Sequence, residues 1–166
     1  DEYKVLLPDK INDLRLKLAE IQEWQDSIMI KTLKMACTKF RANKSVQETM
    51  DVVNIQTEIN LNYLDTSFSI IRYLAWSIPS IGFIGTVMGI SGALGHVDQA
   101  AAGDLSAVTS LLGTAFDTTL IALLLSILLM FRIHRVQQIE EHFIISVQDY
   151  LMSNFVNRIY VPKAER

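Results

Sequence analysis

The sequence predicts an all-α membrane protein, with two transmembrane helices extended by long cytoplasmic helices. Three observations carry this. Residues 68–94 form an apolar run whose only charge is Arg72, and residues 105–131 form a second whose only charge is Asp117. At ~1.5 Å rise per residue, ~20 helical residues cross the hydrocarbon core of a bilayer, so either run is long enough to span it. Both flanks place apolar residues at helical spacing among many charges, and residues 1–67 hold no glycine and only one proline, Pro8.

The chain has 166 residues, half of them hydrophobic, and a net charge of −3. That is one domain's length. The mild acidity does not suit a nucleic-acid surface. A single cysteine, Cys37, excludes an internal disulfide and a cysteine-rich zinc site. No phosphate loop, nucleophile elbow or catalytic triad can be read, so neither an enzyme nor a cofactor is expected. His134, Glu140, Glu141 and His142 are capable of holding metal, but their spacing matches no site, and they read as a solvated surface.

Residues 1–67 read as a cytoplasmic amphipathic helical region. Pro8 followed by Asp9 suits a helix's first turn. Ile11, Leu14, Leu18, Ile21 and Ile28 recur as one apolar stripe, with Lys10, Arg15, Lys17, Glu20 and Glu23 on other faces. The pattern weakens around residues 41–44, where Asn43, Lys44 and Ser45 suggest a break. It resumes at Val46, Met50 and Val53 and continues through Leu61 and Leu64.

The first span, 68–94, carries glycines at 82, 85, 89 and 92, steps of three and four that share one helical face with Pro79, Thr86 and Ala93. Such stripes let membrane helices approach closely, and Gly85 with Gly89 is a GxxxG pair. The stripe reads as a packing face, on which the Thr86 hydroxyl could line something wet.

The segment 95–104 reads as an extracytoplasmic polar loop. It carries Asp98 and Asp104 and no lysine or arginine. Arg72 stands at the entry to the first span, and Arg132 and Arg135 follow the second, so the positive-inside rule puts both flanks in the cytoplasm. Beyond 131, Val136, Ile139, Phe143, Val147, Tyr150 and Leu151 form a stripe expected to pack against the N-terminal one as a cytoplasmic bundle, and Pro162 marks its end.

The second span, 105–131, is unusually polar. Thr109, Ser110, Thr114, Asp117, Thr118, Thr119 and Ser126 interrupt a Leu/Ile/Ala helix. Ala115, Thr119, Ala122 and Ser126 share a face, flanked by Thr114 and Thr118. Hydroxyls in such a ladder can bond their own backbone, or border a wet path or a partner helix. Asp117 lies ~18 Å into the span by helical rise. An aspartate there costs ~2.5–3.5 kcal/mol on insertion scales, and ~100 mV supplies ~2.3 kcal/mol per charge moved. It projects away from the Thr119 face, and either an ion relay or a buried structural partner fits it.

Pro79, Gly82, Gly85, Thr86, Val87, Gly89 and Ile90, in this register, resemble the signature of the MotA/TolQ/ExbB proton-channel family. Ala115-Phe-Asp-Thr-Thr119 is similar to the family's alanine–hydrophobic–x–x–threonine pattern in the next span. The two matches cover roughly residues 65–135. The resemblance implies an ion-conducting subunit of a membrane motor, passing protons or sodium. It implies a homo-oligomer, a pentamer, in a bacterial inner membrane, around a dimeric single-span partner of the MotB/TolR/ExbD type with a membrane aspartate. It places pore-facing threonines at Thr86 and Thr119, with Thr114, Asp117, Thr118 and Ser126 as further ion-pathway candidates and Pro79, Gly82, Gly85, Gly89 and Gly92 as packing positions. It also implies a further span ahead of residue 1. The chain departs from the pattern at Thr114, where ExbB and TolQ carry a glutamate. Three uses stay open: envelope energisation, flagellar or gliding motility, and antiphage defence. The reading from another class is a non-conducting oligomeric scaffold that packs through its glycine stripe.

Overall fold

The computed structural model describes residues 6–20 and 27–160. Ile21, Glu23 and Pro162 lie outside the described residues. Among the described residues, five α-helices run in chain order: α1 (Pro8–Glu20), α2 (Ile28–Asn43), α3 (Val46–Leu94), α4 (Val97–Ala101) and α5 (Ser106–Asn154). A 3-10 turn, Val156–Arg158, follows. The chain divides into two units: residues 1–65 with 139–166, and residues 66–138. Each of the two long helices contributes to both.

In the first unit, α1 pairs with α2. Ile11, Cys37, Phe40, Val53, Val147, Leu151 and Phe155 form one core, with Leu14, Ile28, Val46 and Met50 packed against it. The apolar stripe of α1 thus points inward where it is described. The chain ends of this unit are tied by backbone bonds, from Leu6 N–H to the Arg158 carbonyl (2.8 Å) and from Tyr160 N–H to the Leu6 carbonyl (3.1 Å).

The interruption read at Asn43-Lys44-Ser45 is where α2 stops. Lys44 takes φ 50, the left-handed conformation common just past a helix, and its N–H closes on the Phe40 carbonyl at 2.7 Å. Ser45 then caps α3, its Oγ accepting from Glu48 N–H at 3.3 Å. Glu48 is held by Lys39 at 2.9 Å and by the Asn43 amide. These partners, Lys39 first, keep its carboxyl below the usual range.

The C-terminal stripe differs from expectation. Val147 and Leu151 are buried, but Val136, Ile139, Phe143 and Tyr150 are exposed, and Ile133, Ile144 and Phe155 are buried instead. The inward face of α5 is thus rotated from the predicted one. Its partly polar line, including Gln137, Glu141 and Gln148, hid it from a purely apolar reading.

The second unit is an antiparallel pair made of the apolar halves of α3 and α5. Both helices are long and apolar enough to cross a membrane, and few residues of either apolar window are buried. That separates them from core helices of a soluble domain, whose apolar residues are covered. Phe83, Ile84, Met88, Leu124, Ile127 and Leu128 face outward, as lipid-facing side chains do. Tyr73 and Trp76 form a tilted aromatic pair, with ring centroids 6.4 Å apart, and Arg72 donates to Gln137 Oε1 at 3.2 Å. Aromatic and cationic residues concentrate at the headgroup level. From Trp76 to Leu94 the helix measures ~28 Å, close to the ~30 Å hydrocarbon thickness.

The polar segment between the spans is more structured than a loop. It contains α4, and Gly103 supplies the φ of +98 that turns the chain into α5. Asp104 Oδ1 accepts from Ser106 Oγ (2.5 Å) and from Ser106 N–H (3.0 Å), the hydroxyl first in lowering its pKa and the N–H being a donor at the start of α5.

Candidate functional site

The contact between the two spans is built from residues with no room to spare. A Cβ added at Gly82 would stand 2.5 Å from Ala122 Cβ, and one at Gly89 would stand 2.5 Å from Ala115 Cβ and 3.0 Å from the Leu111 carbonyl. At Gly85 it would meet Thr118 Oγ1 at 2.7 Å, whereas at Gly92 the nearest atom, Leu111 Cδ1, is at an ordinary 3.5 Å. The stripe therefore lets α3 lie against α5 of its own chain, and Gly82 and Gly89 set how closely.

Pro79 lies inside α3 and does not end it. Its nitrogen carries no proton, so the Ala75 carbonyl loses its helical partner. Ser126 Oγ donates to that carbonyl across the seam at 3.3 Å. A backbone acceptor in hydrocarbon has no water to turn to, so a hydroxyl from the neighbouring helix fills the role.

Two turns further along, Thr86 and Thr119 meet. Thr86 Oγ1 donates to the Ala115 carbonyl of α5 at 3.0 Å, and Thr119 Oγ1 donates to the Gly82 carbonyl of α3 at 2.9 Å. The two hydroxyls also contact each other. They carry two protons for three contacts, so one contact always lacks a donor. Each hydroxyl can donate once and accept twice, and rotating either one moves the deficit. Both side chains are half-buried. The pair is a hydrogen-bonding group that can rearrange inside the apolar belt, with lone pairs left over for a water or an ion.

Three further threonines bond carbonyls along their own helix. Thr118 Oγ1 donates to the Ala115 carbonyl (2.9 Å), Thr114 Oγ1 to Ser110 (3.1 Å) and Thr109 Oγ1 to Leu105 (3.0 Å). Thr118 also borders an open apolar groove of about 530 Å³ lined by Ile81, Gly82, Gly85, Met88 and Leu125 among others.

Asp117 is not brought to the threonine pair. Two positions from Thr119, it projects ~160° away around the helix. It is exposed, and among the described residues it has no hydrogen bond or ion pair within the chain. Thr114 shares its outward side. The candidate pathway residues thus divide into Thr86, Thr119 and Ser126 on the seam, Thr118 at the edge of the groove, and Thr114 and Asp117 on the outside. The role of Ser126 was legible in the sequence only by pairing it with Pro79, which needs the register of the two helices.

Among the described residues, no three metal-capable side chains cluster.

A close-packed pair of long apolar helices, nearly bare of buried side chains and joined by hydroxyls at its centre, defines a helical membrane protein. Comparison with curated proteins and with solved structures finds no match. The MotA/TolQ/ExbB proton channel family matches over residues 20–149, and the chain belongs to it.

Proposed function

We propose that the chain is the ion-conducting subunit of a membrane motor, converting ion-motive force into mechanical work on a partner. The observation that carries this is the Thr86–Thr119 pair, a rearrangeable hydroxyl group spanning the seam in the middle of the apolar belt. The conducted ion is a proton or sodium. Two helices enclose no pore alone, so the subunit works as a homo-oligomer, a pentamer, around a dimeric single-span partner of the MotB/TolR/ExbD type whose membrane aspartate exchanges the ion with the threonines. Thr114 and Asp117, on the outer side of α5, are open to other chains and supply polar groups at the same depth. The setting is a bacterial inner membrane with both charged flanks in the cytoplasm. Envelope energisation, flagellar or gliding motility, and antiphage defence all use such a machine.

A second reading has its own observation. Thr86, Thr119 and Ser126 all donate to backbone carbonyls of the opposite helix, which a non-conducting scaffold would also need.

The double variant Thr86→Val and Thr119→Val separates the two. Valine keeps the shape and removes the lone pairs. Interhelical hydrogen bonds in membranes average ~0.6 kcal/mol, and both acceptor carbonyls keep their helical bonds, so the oligomer is expected to survive. Ion flux through the purified complex, measured in vesicles, is expected to vanish. Undiminished flux in a folded double variant refutes the threonine path. A wild-type complex that passes no ion under a driving potential favours the scaffold.

A further inference from the structure

Two apolar strips outside the spans have no cover among the described residues. The first lies on α3: Val52, Ile55 and Ile59, with Met35 of α2 beside Val52. Ile55, Ile59 and Met35 are each about half exposed, at 55%, 52% and 50%. The second is the outward face of α5, Ile139, Phe143 and Tyr150, at 63%, 51% and 57%. Exposed apolar strips beyond the membrane region mark protein contacts.

Their placement is not arbitrary. Gln148 Nε2 donates to Asn54 Oδ1 at 2.8 Å, fixing the level at which α3 and α5 run side by side. Counting from that bond, Ile59 and Phe143 are each five residues away in the same axial direction, and Val52 and Tyr150 are each two residues away in the other. The strips therefore stand at equal heights. Five helical residues turn ~140° from the contact. The helices are antiparallel, so the two turns have the same sense seen from one end, and the strips face opposite sides of the subunit.

The charges are complementary. Between Ile28 and Asn43, α2 carries Lys31, Lys34, Lys39 and Arg41 and no acid. Lys31 and Lys34, together with Lys39, which Glu48 already holds, rim an open groove of about 540 Å³ floored by Met35, Ala42 and Val52. From Ile139 to Asn154, α5 carries Glu140, Glu141 and Asp149 and no lysine or arginine.

We propose that these strips meet between copies of this chain: the strip of Met35, Val52, Ile55 and Ile59, lysine-rimmed at Met35 and Val52, receives Ile139, Phe143 and Tyr150 of the next copy. Rotation about an axis parallel to the helices preserves height, so equal heights on opposite sides are what a head-to-tail ring requires. The inference rests on the oligomeric reading above and specifies the face by which copies join.

The test is cysteine cross-linking in membranes of the full chain. Cys37 is buried, with its thiol pushed up to about 12 by that burial, and does not compete. The double variant Ile59→Cys with Phe143→Cys is expected to give, on mild oxidation, a ladder of cross-linked multimers. Each single variant is expected to stay monomeric on a denaturing gel. Pairing Ile59→Cys with Tyr150→Cys offsets the thiols by ~10 Å along the axis and is expected to cut the yield at least tenfold, beyond disulfide reach. Adding Lys34→Glu to the first pair is expected to lower its yield severalfold. An intact oligomer by native mass with no Ile59–Phe143 ladder overturns this interface and leaves the proposed function standing. Phe143→Cys cross-linking to itself overturns the head-to-tail arrangement. A strictly monomeric wild-type chain sinks both readings.

Discussion

Ser126 donates to the backbone carbonyl that Pro79 deprives of its helical partner, that of Ala75. Proline and serine stand 47 positions apart in the chain and address one defect. The proline opens the backbone of α3 within the apolar belt, and α5 closes it from the side.

This relationship predicts a thermodynamic coupling. Ser126→Ala alone is expected to cost ~0.6 kcal/mol, the average for an interhelical membrane bond. In a Pro79→Ala background the restored N–H reclaims the carbonyl, and Ser126→Ala is expected to cost nothing measurable. Unfolding in graded denaturing detergent gives the cycle, and equal costs in both backgrounds would show that the bond does not compensate for the proline.

The glycines are predicted to differ sharply among themselves. Gly89→Ala meets Ala115 Cβ and the Leu111 carbonyl, and overpacking of that kind costs ~1–3 kcal/mol. Gly82→Ala meets Ala122 Cβ and is expected to behave alike. Gly92→Ala finds ordinary contact distance and is expected to change stability by less than ~1 kcal/mol. Thermal unfolding of the three variants checks the order, and an equally tolerant Gly89 would mean that the spans sit further apart.

Asp117 is predicted to act outside its own subunit, being exposed and unpaired with any described residue. Asp117→Asn is expected to leave the subunit fold unchanged by circular dichroism and melting. If Asp117 relays ions, flux is lost while the oligomer persists. If it bonds a neighbouring chain, the amide retains that bond, and flux and native mass are both kept.

Cys37 should be silent to alkylation. Burial raises its thiol pKa to about 12, so the thiolate is scarce at neutral pH. A thiol that ionises more readily once unfolded favours unfolding as pH rises, so this contribution is whole at neutral pH and fades toward pH 12. Mass spectrometry after maleimide treatment at pH 8 is expected to show no adduct on the native protein and full modification in denaturant. Rapid native labelling would contradict the buried placement.

The arginines predict an orientation across the membrane. Cysteine placed at exposed Gln99 is expected to label from outside intact cells, and at exposed Ser153 only after permeabilisation. The opposite pattern would invert the topology.

Two apolar runs with one charge each, and a glycine–proline–threonine pattern in register, made the helical class and the family legible in the chain alone. Hydrophobic length and small-residue period are local properties, and local properties survive in a sequence. The end of α2 was legible for the same reason, since Asn43, Lys44 and Ser45 carry their conformational preferences with them.

What the tertiary structure decided is partnership. It placed the glycine stripe against Ala115 and Ala122 of the same chain, matched Ser126 to Pro79, set Thr86 against Thr119 and left Asp117 outside the seam. It also rotated the inward face of α5 away from its most apolar line, leaving Ile139, Phe143 and Tyr150 exposed. Each of these depends on the register and rotation of two antiparallel helices. A periodicity of 3.6 names the residues that share a face, but which neighbour that face meets is settled only when the whole length of both helices packs.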